Sequence, residues 1–113
     1  MSKLQEKQLE NRNKFRTLLN LIISNNVPNM DLDKTFDMSD WTTCLFGVYR
    51  LHYKLRTDFN KTSYFKDARK RFGFNTDVAA QIFGYEYPPF SRSNDYAFYA
   101  KRALEILENQ NET

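Results

Sequence analysis

Cysteine, histidine and tryptophan each occur once in this 113-residue chain, as Cys44, His52 and Trp41. A single thiol excludes an internal disulfide and suits a reducing compartment. Two Cys and His ligands in all are too few for a zinc site, and no metal or cofactor is expected. Three glycines and three prolines cannot supply the many turns of an all-β chain. Nor can three glycines make a phosphate-cradling loop or a dinucleotide fingerprint. No apolar run nears the roughly 20 residues that span a bilayer, and the polar opening MSKLQEKQLENRNKF lacks the apolar centre of a secretory signal. The expectation is a cytoplasmic chain without membrane association.

Aromatics, by contrast, are abundant: ten Phe, seven Tyr and one Trp. Each large ring buries much area, so few elements suffice for a core. A chain of this length makes one domain, 1–113, with roughly two-thirds of its unfolded surface buried. Polar turns at about 1–10 and the tail 109–113 are expected to fray.

Hydrophobic spacing predicts five helices. The first runs from about Lys3 to Ser24, with Phe15, Leu18, Leu19 and Ile22 at helical intervals; Asn25, Asn26 and Pro28 end it. An Asp-rich linker, Val27 to Ser39, brings Met30, Leu32, Phe36 and Met38 over the core. The second helix is expected over Asp40 to Arg56, with Ser39 or Asp40 as its cap. One of its faces holds Trp41, Cys44, Leu45, Val48, His52 and Leu55; the opposite one holds Phe46, Tyr49, Arg50, Tyr53 and Lys54. A helix apolar on two faces is central or keeps one face for something else. Either another helix or a second copy of the chain must cover Phe46, Tyr49 and Tyr53, so a homo-oligomer is one solution. Helices follow over Ser63 to Phe72, ended by Gly73, over Thr76 to Phe83, capped by Asn75 or Thr76, and over Asn94 to Asn109. Tyr85 to Phe90 is an aromatic loop held extended by Pro88 and Pro89. The fold class is mainly α, a compact bundle of about five helices, with room for a minor β-hairpin near 26–38 or 85–92.

The search for chemistry ends in specific failures. Cys44 and His52 lie about 12 Å apart along one helix at 1.5 Å per residue, beyond the hydrogen bond a nucleophile and its base require. Asp31, Asp33 and Asp37 alternate as calcium ligands would, but an EF-hand loop needs Gly and Glu where Phe36 and Thr42 stand. No carboxylate sits in an apolar setting that would raise its pKa. An enzyme is not expected.

Charge is more informative. Eight cations and two aspartates between Arg50 and Arg71 put +6 on that segment and −3 on the remainder of a chain whose net charge is +3. Tyr49, Tyr53, Phe59 and Tyr64 interleave with these cations. The residues expected to meet a partner are Tyr49, Arg50, Tyr53, Lys54, Lys66, Arg69 and Lys70. A protein partner is favoured. Nucleic acid is the alternative, since clustered Lys and Arg neutralise phosphates and rings stack on bases. The third reading is a solvated face whose long stems cover apolar surface. Ala80 and Gly84 have helix-turn-helix spacing, but Pro88 and Pro89 would open the recognition helix, a poor start for one.

The stretch Asp37-Met38-Ser39-Asp40-Trp41-Thr42-Thr43-Cys44-Leu45-Phe46-Gly47, then Phe72-Gly73-Phe74 and Ala80-Gln81-Ile82-Phe83-Gly84, resembles a pattern in small uncharacterised bacterial and phage helical proteins. Those carry a Cys-x-x-Gly helix, a Gly-Leu segment and a helix ending in Leu-Phe. The first Cys of that pattern is missing here, with Trp41 nearby. That group has no activity to carry over; the Asn/Lys-rich, compact composition also resembles that of small phage accessory proteins, which implies a non-enzymatic binding module that modulates a macromolecular partner by steric contact.

Overall fold

The computed structural model describes residues 2–38, 40, 42–55, 61–83 and 94–111, with only the backbone at 61–64, 110 and 111. Its helices are α1 (Lys3–Ile23), α2 (Leu32–Thr35), α3 (Leu45–His52), α4 (Lys61–Phe72), α5 (Thr76–Phe83) and α6 (Tyr96–Asn111). Among the described residues there is no strand. The chain is a mainly helical bundle, as its periodicity predicts.

Helix α1 is the spine. Asn11, Phe15, Leu18, Leu19 and Ile22 are buried along one stripe, and α6 and α4 pack on it. Its start is a capping box: the Gln5 N–H donates to Ser2 Oγ at 3.1 Å, and the Ser2 N–H to Gln5 Oε1 at 3.0 Å. The polar first turn is thus capped through the N–H groups of Ser2 and Gln5. At the other end Asn25 takes a left-handed φ of 55°. The Asn26 N–H then reaches Leu21 O at 2.8 Å and the Asn25 N–H reaches Ile22 O at 3.0 Å, the Schellman closure.

Of the two places left open to a hairpin, 26–38 holds the helical turn α2, and 85–92 lies outside the described residues. The cause is local. Asp31 Oδ1 accepts the Asp33 N–H at 3.1 Å, while the N–H groups of Thr35 and Phe36 return to Asp31 O and Leu32 O. Donors satisfied within the turn are not available to a ladder. Val27, Leu32, Phe36 and Met38 are buried beneath this segment, and Tyr96 of α6 ties to it through a 3.0 Å hydrogen bond to Asp33 Oδ1.

Helix α3 is shorter than expected at both ends. Asp40 does not cap it. Its carboxylate instead accepts the Thr42 N–H at 2.9 Å and the Thr42 hydroxyl at 2.7 Å, and its carbonyl takes the N–H groups of Thr43 and Cys44. This turn holds Asp40, Thr42, Thr43 and Cys44 out of the helix. The far end closes at Lys54, φ 56°, with the Leu55 N–H on Arg50 O at 2.9 Å and the Lys54 N–H on Leu51 O at 3.3 Å. This is again a Schellman closure, with lysine where glycine is usual.

Both apolar faces of α3 are buried over its first six residues, since Leu45, Phe46, Gly47, Val48, Tyr49 and Arg50 are all interior. Phe46 and Tyr49 join a ring cluster with Phe15, Phe72 and Phe83. Phe15 lies 5.1 Å from Phe72, 5.5 Å from Phe83 and 5.9 Å from Tyr49 between ring centroids. Such pairs add about 0.5–1.5 kcal/mol each beyond their buried area.

The end of α4 is held by polar side chains of α1. Gln8 Nε2 donates to Lys70 O at 3.0 Å, Asn11 Nδ2 to Arg71 O at 3.0 Å, and Arg12 Nη1 to Phe72 O at 2.7 Å. These are carbonyls that a helix terminus leaves without partners, and a guanidinium there also meets the negative end of the helix dipole. Gly73 stops α4 as expected, at φ +72°. Helix α5 matches its predicted span and is capped by Asn75 Oδ1, which accepts the Val78 N–H at 2.9 Å. Helix α6 buries Tyr99, Ala100, Ala103 and Leu107 and runs through Asn111. The radius of gyration, 13.2 Å, is that of one packed domain of about this length.

Candidate interaction surface

The seven residues expected on one face divide into three environments. Tyr49 and Arg50 are each 2% exposed, so neither offers a contact surface, and their assignment to an outer face is corrected. Tyr49 lies on Phe15, Phe72 and Tyr53. The Arg50 guanidinium lies 5.5 Å from the Phe46 ring centroid, in cation–π range. Helical arithmetic identified which residues share a side of α3. It had no means of showing that another helix covers that side.

Tyr53 lies in the seam between α3 and α1. Its hydroxyl donates to Lys14 O at 3.0 Å, the Lys14 ammonium sits 5.8 Å from its ring centroid, and His52 packs edge-on against it at 4.6 Å. The remaining four are cations. Lys54, Lys66 and Lys70 are exposed and Arg69 is half-buried. Lys66 and Lys70 are four apart on α4, on one side of that helix. Lys54, Lys66 and Lys70 form no ion pair with any described residue, whereas Arg71 pairs with Asp67 at 3.3 Å. Phe59, and the side chain of Tyr64, lie outside the described residues.

Burial acts on the seam. The Tyr49 phenol is pushed up to about 12, chiefly by loss of solvent, with Arg71 opposing and Tyr53 and Glu10 reinforcing the rise. Burial raises Tyr53 as well. A phenol harder to ionise when folded stabilises the fold fully below its unfolded value near 10, and that contribution is lost as pH rises from 10 towards 12. Urea midpoints measured across this window should fall steeply, and Tyr49→Phe should flatten the fall. An unchanged slope in that variant would refute the assignment.

Sequence reasoning overlooked Leu51. It belongs to neither of the two faces drawn on the helix, and it is 49% exposed. That exclusion was itself the available signal: an apolar residue off both stripes of an apolar helix. Leu51 forms one wall of a cleft of about 490 Å³ between α3 and the 28–31 segment, with Met30, Asp31, Val48, His52 and Lys54 among its lining.

Cys44 is 1% exposed, and no group of three or more His, Cys, Asp or Glu stands together among the described residues. No described helix is long and apolar enough to cross a membrane. No family model, curated protein or solved structure matches this chain.

Proposed function

We propose that this chain is a non-enzymatic binding module that modulates a protein partner by steric contact, in the manner of a phage accessory protein. The observation that carries this reading is an exposed apolar side chain, Leu51, beside the cation Lys54, which makes no ion pair with a described residue. Protein interfaces combine an apolar anchor with a charged rim, and rim charges steer encounter. Lys66 and Lys70 add exposed positive charge on α4.

The nucleic-acid alternative draws on the same lysines. It loses part of its support from the burial of Tyr49, because stacking needs open ring faces. Tyr53 has also committed its hydroxyl to Lys14.

Capture of a protein from nuclease-treated bacterial lysate tests the reading. The triple reversal Lys54→Glu, Lys66→Glu and Lys70→Glu should weaken capture by roughly tenfold or more. Each exposed substitution should leave stability within about 0.5 kcal/mol. Failure to capture any protein above background would overturn the proposal. Retarded mobility of random oligonucleotides at low salt, lost steeply as salt rises, would favour nucleic acid instead.

A further inference from the structure

The cleft beside Leu51 has a chemistry of its own. Its floor is aliphatic: Val48 is buried and Met30 half-buried, with Leu51 standing as an exposed wall. At about 490 Å³ it falls within the size range of small-ligand pockets. Among the described residues no Phe, Tyr or Trp lines it.

Its charged groups are unequally satisfied. Asp31 accepts the Asp33 N–H at 3.1 Å and lies 4.0 Å from the Lys34 ammonium. Lys54 makes no ion pair with a described residue. His52 touches the Tyr53 ring edge-on and makes no hydrogen bond to a described residue. Asp31, though exposed, thus has an N–H donor and an ammonium beside it, whereas Lys54 and the His52 imidazole have no such partner among the described residues. Lys54 is also set on the rim by the chain turn that ends α3, at φ 56°.

We infer that this cleft receives a short acidic segment of a protein partner. One large apolar side chain seats on Met30, Val48 and Leu51, and an adjacent carboxylate meets Lys54 and His52. The inference rests on the binding-module reading and gives it a site and a partner chemistry. An apolar anchor desolvated in a pocket supplies most of the affinity of such a contact, and the carboxylate supplies its selectivity.

The test uses the full ¹⁵N-labelled chain and two pools of short synthetic peptides sharing a central Leu or Phe. One pool is flanked by Asp and Glu, the other by Lys and Arg. The acidic pool should shift the amides of Met30, Leu51, His52 and Lys54, and the basic pool should not. Leu51→Asp should weaken the acidic pool by roughly tenfold without lowering Tm. Lys54→Gly removes the charge and also relieves the left-handed backbone, so it should weaken binding while raising Tm. No shift with either pool, equal shifts with both, or Lys54→Gly binding as well as wild type would each overturn the inference. Shifts confined to Lys66 and Lys70 would overturn the cleft yet leave the binding module standing. Capture from lysate that survives Leu51→Asp unchanged would do the same.

Discussion

Phe15→Ala should lower stability by about 3–5 kcal/mol, the usual cost of removing a fully enclosed aromatic ring. Phe15 is 0% exposed, and its ring touches three others, from α3, α4 and α5. Three helices thus meet α1 at a single side chain. Truncation removes the transfer energy of the ring and leaves a cavity whose walls are rigid rings, which collapse poorly. Domains of this size have about 5–15 kcal/mol in total, so the loss is a large fraction of it. Urea denaturation followed by far-UV circular dichroism should show a much lower midpoint with the slope preserved. Leu4→Ala is the control: Leu4 is 59% exposed, and its loss should stay within about 0.5 kcal/mol. A Phe15→Ala loss below about 1.5 kcal/mol would mean that the ring cluster is not the organising core.

Gly73→Ala should cost about 2–3 kcal/mol, for two separable reasons. Its φ of +72° lies where a Cβ costs about 1–2 kcal/mol. A Cβ built there would also stand 2.8 Å from Gln8 Oε1 and 2.9 Å from Gln8 Cδ. Gln8 must move, and its hydrogen bond to Lys70 O is lost or bent, at about 0.5–1.5 kcal/mol. A double-mutant cycle with Gln8→Ala separates the parts. Gly73→Ala made in the Gln8→Ala background should cost only the backbone share, about 1–2 kcal/mol. Strict additivity would show that the Gln8 contact contributes nothing to the cost of the added Cβ.

Several elements could be read from the residues alone. Helix α5 was legible end to end because Asn75 caps it and its apolar positions repeat cleanly over Val78, Ala79, Ile82 and Phe83. The end of α4 was legible because glycine at position 73 marks the αL closure. The ends of α3 were less legible because both signals are unusual. Asp40 has the chemistry of a helix cap but closes its own turn on Thr42, and Lys54 does what glycine ordinarily does. Periodicity continues through both positions, so it overran them.

The candidate surface was only partly legible for a different reason. Charge and aromatic content along residues 49–71 are properties of a list, and Lys54, Lys66 and Lys70 are exposed at the surface as a solvated lysine must be. Burial of Tyr49 depends on Phe15 of α1 and Phe72 of α4, which are far away in sequence. The side chains that hold α4 to α1, Gln8, Asn11 and Arg12, sit about 60 residues from the carbonyls they bind.

The sequence by itself determined that this protein is a single helical bundle with an aromatic core. Its one thiol also leaves no pair for an internal disulfide. Those conclusions follow from composition and from periods of three and four residues, which are local. Tertiary structure alone decided which face of α3 meets solvent. It enclosed Tyr49 and Arg50, left Leu51 outside, and brought the 28–31 segment beside it to form a cleft. Exposure is set by what packs on a residue from elsewhere in the chain, and no local period carries that information.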